Sequence, residues 1–388
     1  MKKKLLMIWA TPFFSDRGCH IRIYNEIKYL SKKDFDIILT TYHLWNDIKW
    51  IKIKRIINIP WYKKTWAWAS WHKLYLDFLL LILSIKEYFI NKPKIIHAHL
   101  YEWLLIAYII KIISFFNVKI IFDCQWSLAE EMMSYSIKKS IFSNSLYKLF
   151  IFIEKILLYL PDYTICSSKN SYNILREKYN INKNNVSILW DWVDLDLFKI
   201  SLEEKEKLKL IYWIPKWNKV VTYTWWITVA KWVKELLDCI PDILKNNNKI
   251  TFLIAWYWNL EEEYRNRYKN IIKNWNIIFL WRFSYFDLPK IISISNFCIE
   301  PKNWSSESSG KIYNYIAWNV PIICFNNDFN YSILWDSWIY IDNFLEIPEK
   351  INNNYKNVLK INSDILWKNL VEDYVVIYNK IIMNSYND

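Results

Sequence analysis

The chain has 388 residues, 53% of them hydrophobic, which supplies two domain cores and excludes an intrinsically disordered protein. Its net charge of +13 favours phosphate-bearing ligands or anionic lipid surfaces, and no nucleic-acid-binding module accompanies that charge, so nucleic acid is not an expected partner. Six scattered cysteines (19, 124, 166, 239, 298 and 324) contain no C-x-x-C pair and argue for reduced thiols in a cytoplasmic protein, against a disulfide frame or a zinc site.

The opening MKKKLLMIWATPFF places basic residues before an apolar run, as a signal peptide does. The run is short, lacks a small-residue cleavage site, and predicts a first buried strand from Lys4 to Ala10. After a loop, Gly18-Cys19-His20 opens a helix that runs to Leu30, and a strand, a glycine-bearing turn and a helix start make the phosphate-facing corner of a Rossmann-type half. Asp36 to Tyr42 is a second strand, and residues 45–72 are irregular and basic. Leu74–Ile90 and Leu100–Phe116 are apolar but interrupted by charges, so both predict packed or interfacial helices and not membrane spans.

Between those helices, Pro93 to His99 is a buried parallel strand that ends in two histidines. His97 fits a core position, and His99, beyond the strand, is the better site candidate. Val118 to Gln125 is the next strand. Tyr147 to Leu160 is an aromatic-rich amphipathic helix with Lys148, Glu154 and Lys155 on its polar side, and Ser167-Ser168 caps a helix after the strand Pro161–Ser167. The charged run 201–210 reads as a hinge region.

From residue 190 onward the turns are spelled with tryptophan. Glycine occurs twice and tryptophan 25 times. Ordinary usage of roughly 7% predicts about 27 glycines, the number that the two residues reach together. Tight turns need φ > 0, which glycine adopts without strain and tryptophan does not. LWDWVD (Trp190, Trp192), YTWWIT (Trp225, Trp226), Trp232, AWYWN (Trp256, Trp258) and LWDSW (Trp335, Trp338) all sit where turns are expected. Most tryptophans are therefore read as glycine from a reassigned UGA codon; Trp61 and Trp71, in aromatic contexts, are the best candidates for true indoles.

Read with glycines, Lys219 to Trp232 is a strand, a glycine turn and a helix bearing Lys231, an arrangement that turns backbone amides and an ammonium toward a pyrophosphate. Strands follow at Lys249–Ala255, Asn276–Leu280 and Asn296–Ile299, with Arg282 just past the second as either a further phosphate contact or a surface arginine. The stretch EPKNWSSESSGKIYNYIAWNVP (Glu300–Pro321) then passes through Glu307, Ser308, Ser309 and Gly310 into a helix beginning at Lys311. Small residues, a hydroxyl pair and a lysine at a helix start suit a phosphate-bearing ligand, and a capped helix without ligand is the alternative. A strand at Val320–Phe325 and two helices, 348–360 and 363–384, finish the chain.

That last motif resembles the donor-site signature E-x-SGK-x-x-NY-x-A-x-G-x-P of family 4 glycosyltransferases, matching at Glu307, Ser309, Gly310, Lys311, Asn314, Tyr315, Ala317 and Pro321. Asn314 stands where many members carry a second glutamate. FFSDRGCHIRIYNEIKYL resembles the family's first loop, Gln125 stands where members resembling DxHG carry a histidine, and VSILWDWVDLDLF resembles the element that closes the first domain. In the phosphate loop Lys231 matches, and the arginine expected in the turn is missing.

The resemblance spans nearly the whole chain in order. It implies an α/β protein of GT-B type, two Rossmann-like domains with parallel sheets facing across a cleft: 1–200 on the acceptor side, 201–365 binding the nucleotide sugar, and 366–388 a helix packing back on the first. The implied activity is retaining transfer of a hexose from a UDP- or GDP-linked sugar to a glycan or lipid-linked acceptor, in cell-surface polysaccharide or glycolipid synthesis. No metal or cofactor is obligatory; the Asp194/Asp196 pair has metal spacing but lies in the domain-closing element. The implied roles place Lys231 with Trp225 and Trp226 on the pyrophosphate, Glu307 on the donor sugar, and Ser309 to Lys311 on phosphate or hydroxyls. Asn314 takes the ribose, His99 and Gln125 orient the sugar, and Gly18 admits the diphosphate. The protein is expected in the cytoplasm with peripheral contact to the inner membrane leaflet. Two other classes stay open: a nucleotide-sugar epimerase of the same architecture, and, with genuine tryptophans, a Trp-rich sugar- or membrane-binding protein.

Overall fold

The computed structural model describes residues 2–14, 18–45, 47–63, 71–134, 141–191, 193–224, 232–255, 261–280, 284–303, 309–327, 330–331, 334, 338–352 and 367–384. They divide into two compact units, one of residues up to 191 together with 367–384, the other running from 193 to 352.

The first unit is built on a seven-stranded sheet in the order β3-β2-β1-β4-β5-β6-β7, every pair parallel. Its strands are β1 (Lys3–Trp9), β2 (Phe35–Thr41), β3 (Lys52–Arg55), β4 (Ile95–His99), β5 (Lys119–Cys124), β6 (Tyr163–Cys166) and β7 (Val186–Ile188). The central strands are buried nearly end to end, because a parallel strand covered on both faces needs a continuous apolar run and not an alternating one. Helices α1 (Gly18–Leu30), α2 (His72–Asn91), α3 (Tyr101–Ile113), α4 (Leu128–Ser134) and α5 (Ile141–Leu157) connect them.

Two expectations change here. Within the irregular segment 45–72, KIKR forms the edge strand β3, which keeps Lys52 and Lys54 in water and turns Arg55 onto the carbonyls of Phe13, Tyr42 and Leu44. Glu154, assigned to the polar side of its helix, is 1% exposed. It accepts hydrogen bonds from the hydroxyls of Tyr101 (2.6 Å), Tyr179 (2.8 Å) and Ser127 (2.9 Å) and from the Leu128 N–H (3.0 Å). A buried carboxylate with that many donors is a fixed anchor for the start of α4. The face of α5 that meets water is instead apolar, with Leu149, Phe152 and Ile156 half-exposed or more.

The second unit carries a six-stranded parallel sheet in the order β10-β9-β8-β11-β12-β13. The strands are β8 (Lys219–Thr224), β9 (Ile250–Ala255), β10 (Ile277–Leu280), β11 (Phe297–Glu300), β12 (Ile322–Phe325) and β13 (Ile339–Ile341). Helix α6 (Leu202–Ile211) occupies the charged run read as a hinge; Ser201 caps it by accepting from the Glu204 N–H at 3.1 Å, and charged residues are good helix formers. Helix α7 (Val233–Asn246) buries Val233, Leu236, Leu237, Ile240 and Ile243, the one-sided stripe of a 3.6-residue repeat, against the sheet core. Helix α8 (Gly310–Ala317) follows β11.

The last described helix, α9 (Trp367–Asn384), belongs to the first unit. It buries Leu370, Tyr374, Ile377, Tyr378 and Ile381 and packs along α1. Among the described residues no helix is long and apolar enough to cross a membrane.

Candidate functional site

Both sheets share one order of winding. The chain builds outward from β1 to β3 and returns to the other side of β1 at β4; in the second unit it does the same from β8 to β10 and returns at β11. Each sheet therefore has a topological switch point, where doubly wound α/β proteins bind ligands beyond the carboxyl ends of the strands.

At the second switch point β8 ends at Thr224 and β11 ends at Glu300. The Tyr315 hydroxyl from α8 meets the Thr224 N–H and Oγ1, both at 3.0 Å, and ties the helix to the end of β8. Glu300 is fully buried. It accepts from the Lys302 N–H (3.2 Å), from the Ser309 hydroxyl and from Lys311 Nζ (3.1 Å), while Lys311 Nζ lies 4.9 Å from the centre of the Tyr223 ring. These contacts hold the first turn of α8, whose leading N–H groups lack intrahelical partners, beside the end of β8.

The sequence reading gave Ser309 and Lys311 to a ligand directly. Both side chains are buried, and the Ser309 hydroxyl and Lys311 Nζ both meet Glu300. Asn314 is buried on the same helix, its amide 3.4 Å from the Gly310 carbonyl. Gly310 begins the helix and Gly18 begins α1; neither glycine has a positive φ. Trp225, Trp226, Lys231, Arg282 and Glu307 lie outside the described residues. So does the expectation that indoles at 225–226 crowd a nucleotide cleft.

The first switch point is filled by charge. Asp123, at the end of β5, is fully buried and accepts from Arg22 Nε (2.9 Å), Gln125 Nε2 (2.8 Å) and His99 Nδ1 (3.1 Å). Arg22 on α1 also donates to Asp191 Oδ1 (2.9 Å), the Leu189 carbonyl (3.1 Å) and the Tyr374 hydroxyl (3.1 Å), and lies 3.3 Å from Glu26, one turn along the same helix. Tyr374 in turn donates to Glu26 at 2.5 Å. Burial alone raises the Asp123 carboxyl, but the Arg22 guanidinium and the His99 hydrogen bond outweigh it and hold that carboxyl well below the usual carboxylate range. Burial dominates at Glu26, pushed up to about 7 against the opposing pull of His99 and Arg22. Burial also drives His97 well below the ordinary histidine value, which keeps its ring neutral.

The ring of His99, expected to touch the sugar, is fully buried between Asp123 and Glu26. The structure brings His99 and Gln125 together on one carboxylate, and places Ser309, Gly310, Lys311 and Asn314 in one helix start. Arg22, Glu26, Asp123 and Glu300 went unassigned. The readable traces were a charged i,i+4 pair inside an apolar helix, and single acids closing the apolar strands KIIFDC and FCIE.

No protein-family profile matches the chain, and no curated protein sequence matches it. Solved structures do. Sucrose-phosphate synthase from Thermosynechococcus elongatus is similar with a TM-score of 0.77 at 12% identity, over 99% of this chain and 100% of that one. A glycosyltransferase from Rickettsia africae gives 0.71 at 15% identity over 99% of both chains. Anabaena HepE, solved with UDP and glucose, gives 0.66 at 13% identity, again over 99% of both. At these identities the likeness establishes the fold, which is GT-B: α/β, with parallel sheets of seven and six strands.

Proposed function

We propose that the protein is a retaining glycosyltransferase, similar to family 4, that moves a hexose from a UDP- or GDP-linked sugar to a glycan or lipid-linked acceptor in cell-surface polysaccharide or glycolipid synthesis. The observation that carries this reading is the second switch point. There the start of α8, with the sequence Ser309-Gly310-Lys311, is braced by Glu300 and Tyr315 against the end of β8, which leads directly into the segment bearing Lys231. A helix start beside a strand end is a site for phosphate oxygens. HepE, of the same fold, is solved with UDP and glucose, which supports a nucleotide sugar as donor.

In this reading Lys231, the 225–226 turn and Arg282 hold the diphosphate, and Gly18 lets the first loop approach it. Glu307 contacts the donor sugar, the backbone of 309–311 binds phosphate or hydroxyls, and Asn314 takes the ribose. Gln125 orients the sugar, positioned through Asp123 by His99 and Arg22. Domain limits at residues 200 and 365 and a cytoplasmic setting belong to the same proposal. The half-exposed apolar residues on α2 (Phe78, Ile82), α3 (Leu105, Ile112) and α5 (Leu149, Phe152, Ile156), helices packed side by side, support peripheral contact with the inner leaflet. Co-sedimentation with anionic vesicles that survives Phe152→Ser unchanged removes that face from the proposal.

Most tryptophans stand for glycine in the same reading. Among the described residues, four of the ten non-glycine positions with positive φ are tryptophans (Trp45, Trp213, Trp232 and Trp275), all in the region that favours glycine. Trp9, Trp103 and Trp338 are buried with indole Nε1–H groups that find no acceptor, although a buried tryptophan normally bonds its N–H. The intact mass of the protein from its own host tests this. A mass matching 25 indoles ends it.

The enzymatic reading is tested by a donor screen that follows nucleoside diphosphate release with and without acceptor. Release is expected from one UDP- or GDP-sugar. Lys231→Ala is expected to lower turnover by about 10²–10³-fold, the usual cost of one preorganised charge contact; unchanged turnover refutes the assignment.

A further inference from the structure

We propose that Glu26, His97 and His99 form a binding site for one zinc ion inside the first unit. This goes beyond sugar transfer and does not depend on it. The three side chains are 1%, 0% and 0% exposed, and each offers a ligand atom, all within 4.8 Å of one another. His97 and His99 are two apart on β4, so the alternation of a strand puts both on one face, where the rings lie 4.1 Å apart centre to centre.

Three atoms point to a ligand. Oε2 of Glu26, Nε2 of His97 and Nε2 of His99 are buried without a hydrogen-bond partner, and buried polar atoms are almost always paired. Their companion atoms are already engaged. His99 Nδ1 is 3.1 Å from Asp123, His97 Nδ1 is 2.7 Å from the Tyr378 hydroxyl, and Oε1 of Glu26 accepts from Tyr374 at 2.5 Å. The Asp123 carboxylate only accepts, so His99 carries its proton on Nδ1 and presents a lone pair at Nε2. A histidine whose far nitrogen is held by a carboxylate is the arrangement that orients metal ligands. The same logic serves His97 when its Nδ1–H donates to the Tyr378 oxygen.

Charge and distance agree with this assignment. Arg22 faces three acids, Glu26, Asp123 and the part-exposed Asp191, so a divalent cation that displaces any proton from Glu26 adds positive charge where acids outnumber bases. Oε2 of Glu26 is 3.6 Å from Nε2 of His99. Zinc bonds of about 2.0–2.2 Å set tetrahedral ligand atoms roughly 3.4 Å apart, so that pair needs little movement. Two imidazoles and a carboxylate are a donor set for zinc. No cysteine takes part, so cysteine spacing gave no sign of it. The ion would join α1 to β4, with Tyr374 and Tyr378 of α9 holding its ligands in place.

The test uses the full chain, loaded with zinc or cobalt(II) and passed into metal-free buffer. One metal ion per chain by elemental analysis is expected, with a cobalt absorption of nitrogen and oxygen ligation and a melting temperature that rises with zinc. Glu26→Gln and His97→Gln are expected to retain at least tenfold less metal, while His72→Ala retains it. Less than a tenth of an equivalent on the unaltered chain, the outcome of a shared His99–Glu26 proton or a buried water, overturns the proposal. So does sulfur-to-cobalt charge transfer, or full retention by both ligand variants. Where those variants fail to fold, the metal count and cobalt spectrum of the unaltered chain decide alone.

Discussion

At the first switch point the carboxyl ends of β4 and β5 meet a packed set of charged side chains: Arg22 reaches Asp123, Asp191, Glu26, Tyr374 and a carbonyl within 3.3 Å. At the second, the carboxyl ends of β8 and β11 meet two hydroxyls, one ion pair and the start of a helix. The strand order is the same. Among the described residues, what differs is what stands at the strand ends: in one sheet a packed set of charged side chains, in the other a helix start braced by Glu300 and Tyr315.

That contrast can be broken from either side. Asp123→Ala is the harshest test. It strips Arg22, His99 and Gln125 of a common acceptor and leaves a guanidinium buried with less compensation, at an expected cost of about 3–5 kcal/mol in chemical denaturation. A loss under about 1 kcal/mol would mean that the first switch point is not structural. Glu300→Ala abandons a single lysine and one hydroxyl in the second unit, so a cost nearer 3 kcal/mol is expected in the same measurement, with donor binding weakened because α8 loses its brace. Equal costs for the two would erase the distinction drawn here.

Smaller changes sharpen it. Tyr374→Phe removes the hydroxyl that accepts from Arg22 and donates to Glu26, and about 1.5–3 kcal/mol is expected in thermal melts, the range for a hydrogen bond to a charged group. Trp232→Gly relieves a left-handed residue (φ 59°) at the start of α7. It should raise stability by about 1 kcal/mol; a decrease would count against reading that position as glycine.

The sheets were legible in the sequence because central parallel strands are unbroken apolar runs, as LLMIW and TFLIA are. The edge strand KIKR and helix α6 were not, since both are charged and their structure depends on a neighbouring strand or a cap rather than on burial. The helix start at Gly310 was legible from Ser309-Gly310-Lys311, but the partners of its side chains were not. Lys311 finds Glu300 eleven residues earlier, a partner that no local spacing announces. The same holds for Glu154, whose helix position suggested water and whose partners come from three other segments. The first switch point was hidden for the plainest reason: its members come from opposite ends of the chain.

Helix α9 gives that distance a consequence in time. Tyr374 closes on Glu26 across 348 positions and Tyr378 on His97 across 281. On a ribosome, α1 and β4 emerge long before those tyrosines exist, and pairings so remote are slow to close. Until α9 is made, Glu26 lacks the Tyr374 hydroxyl and His97 lacks that of Tyr378.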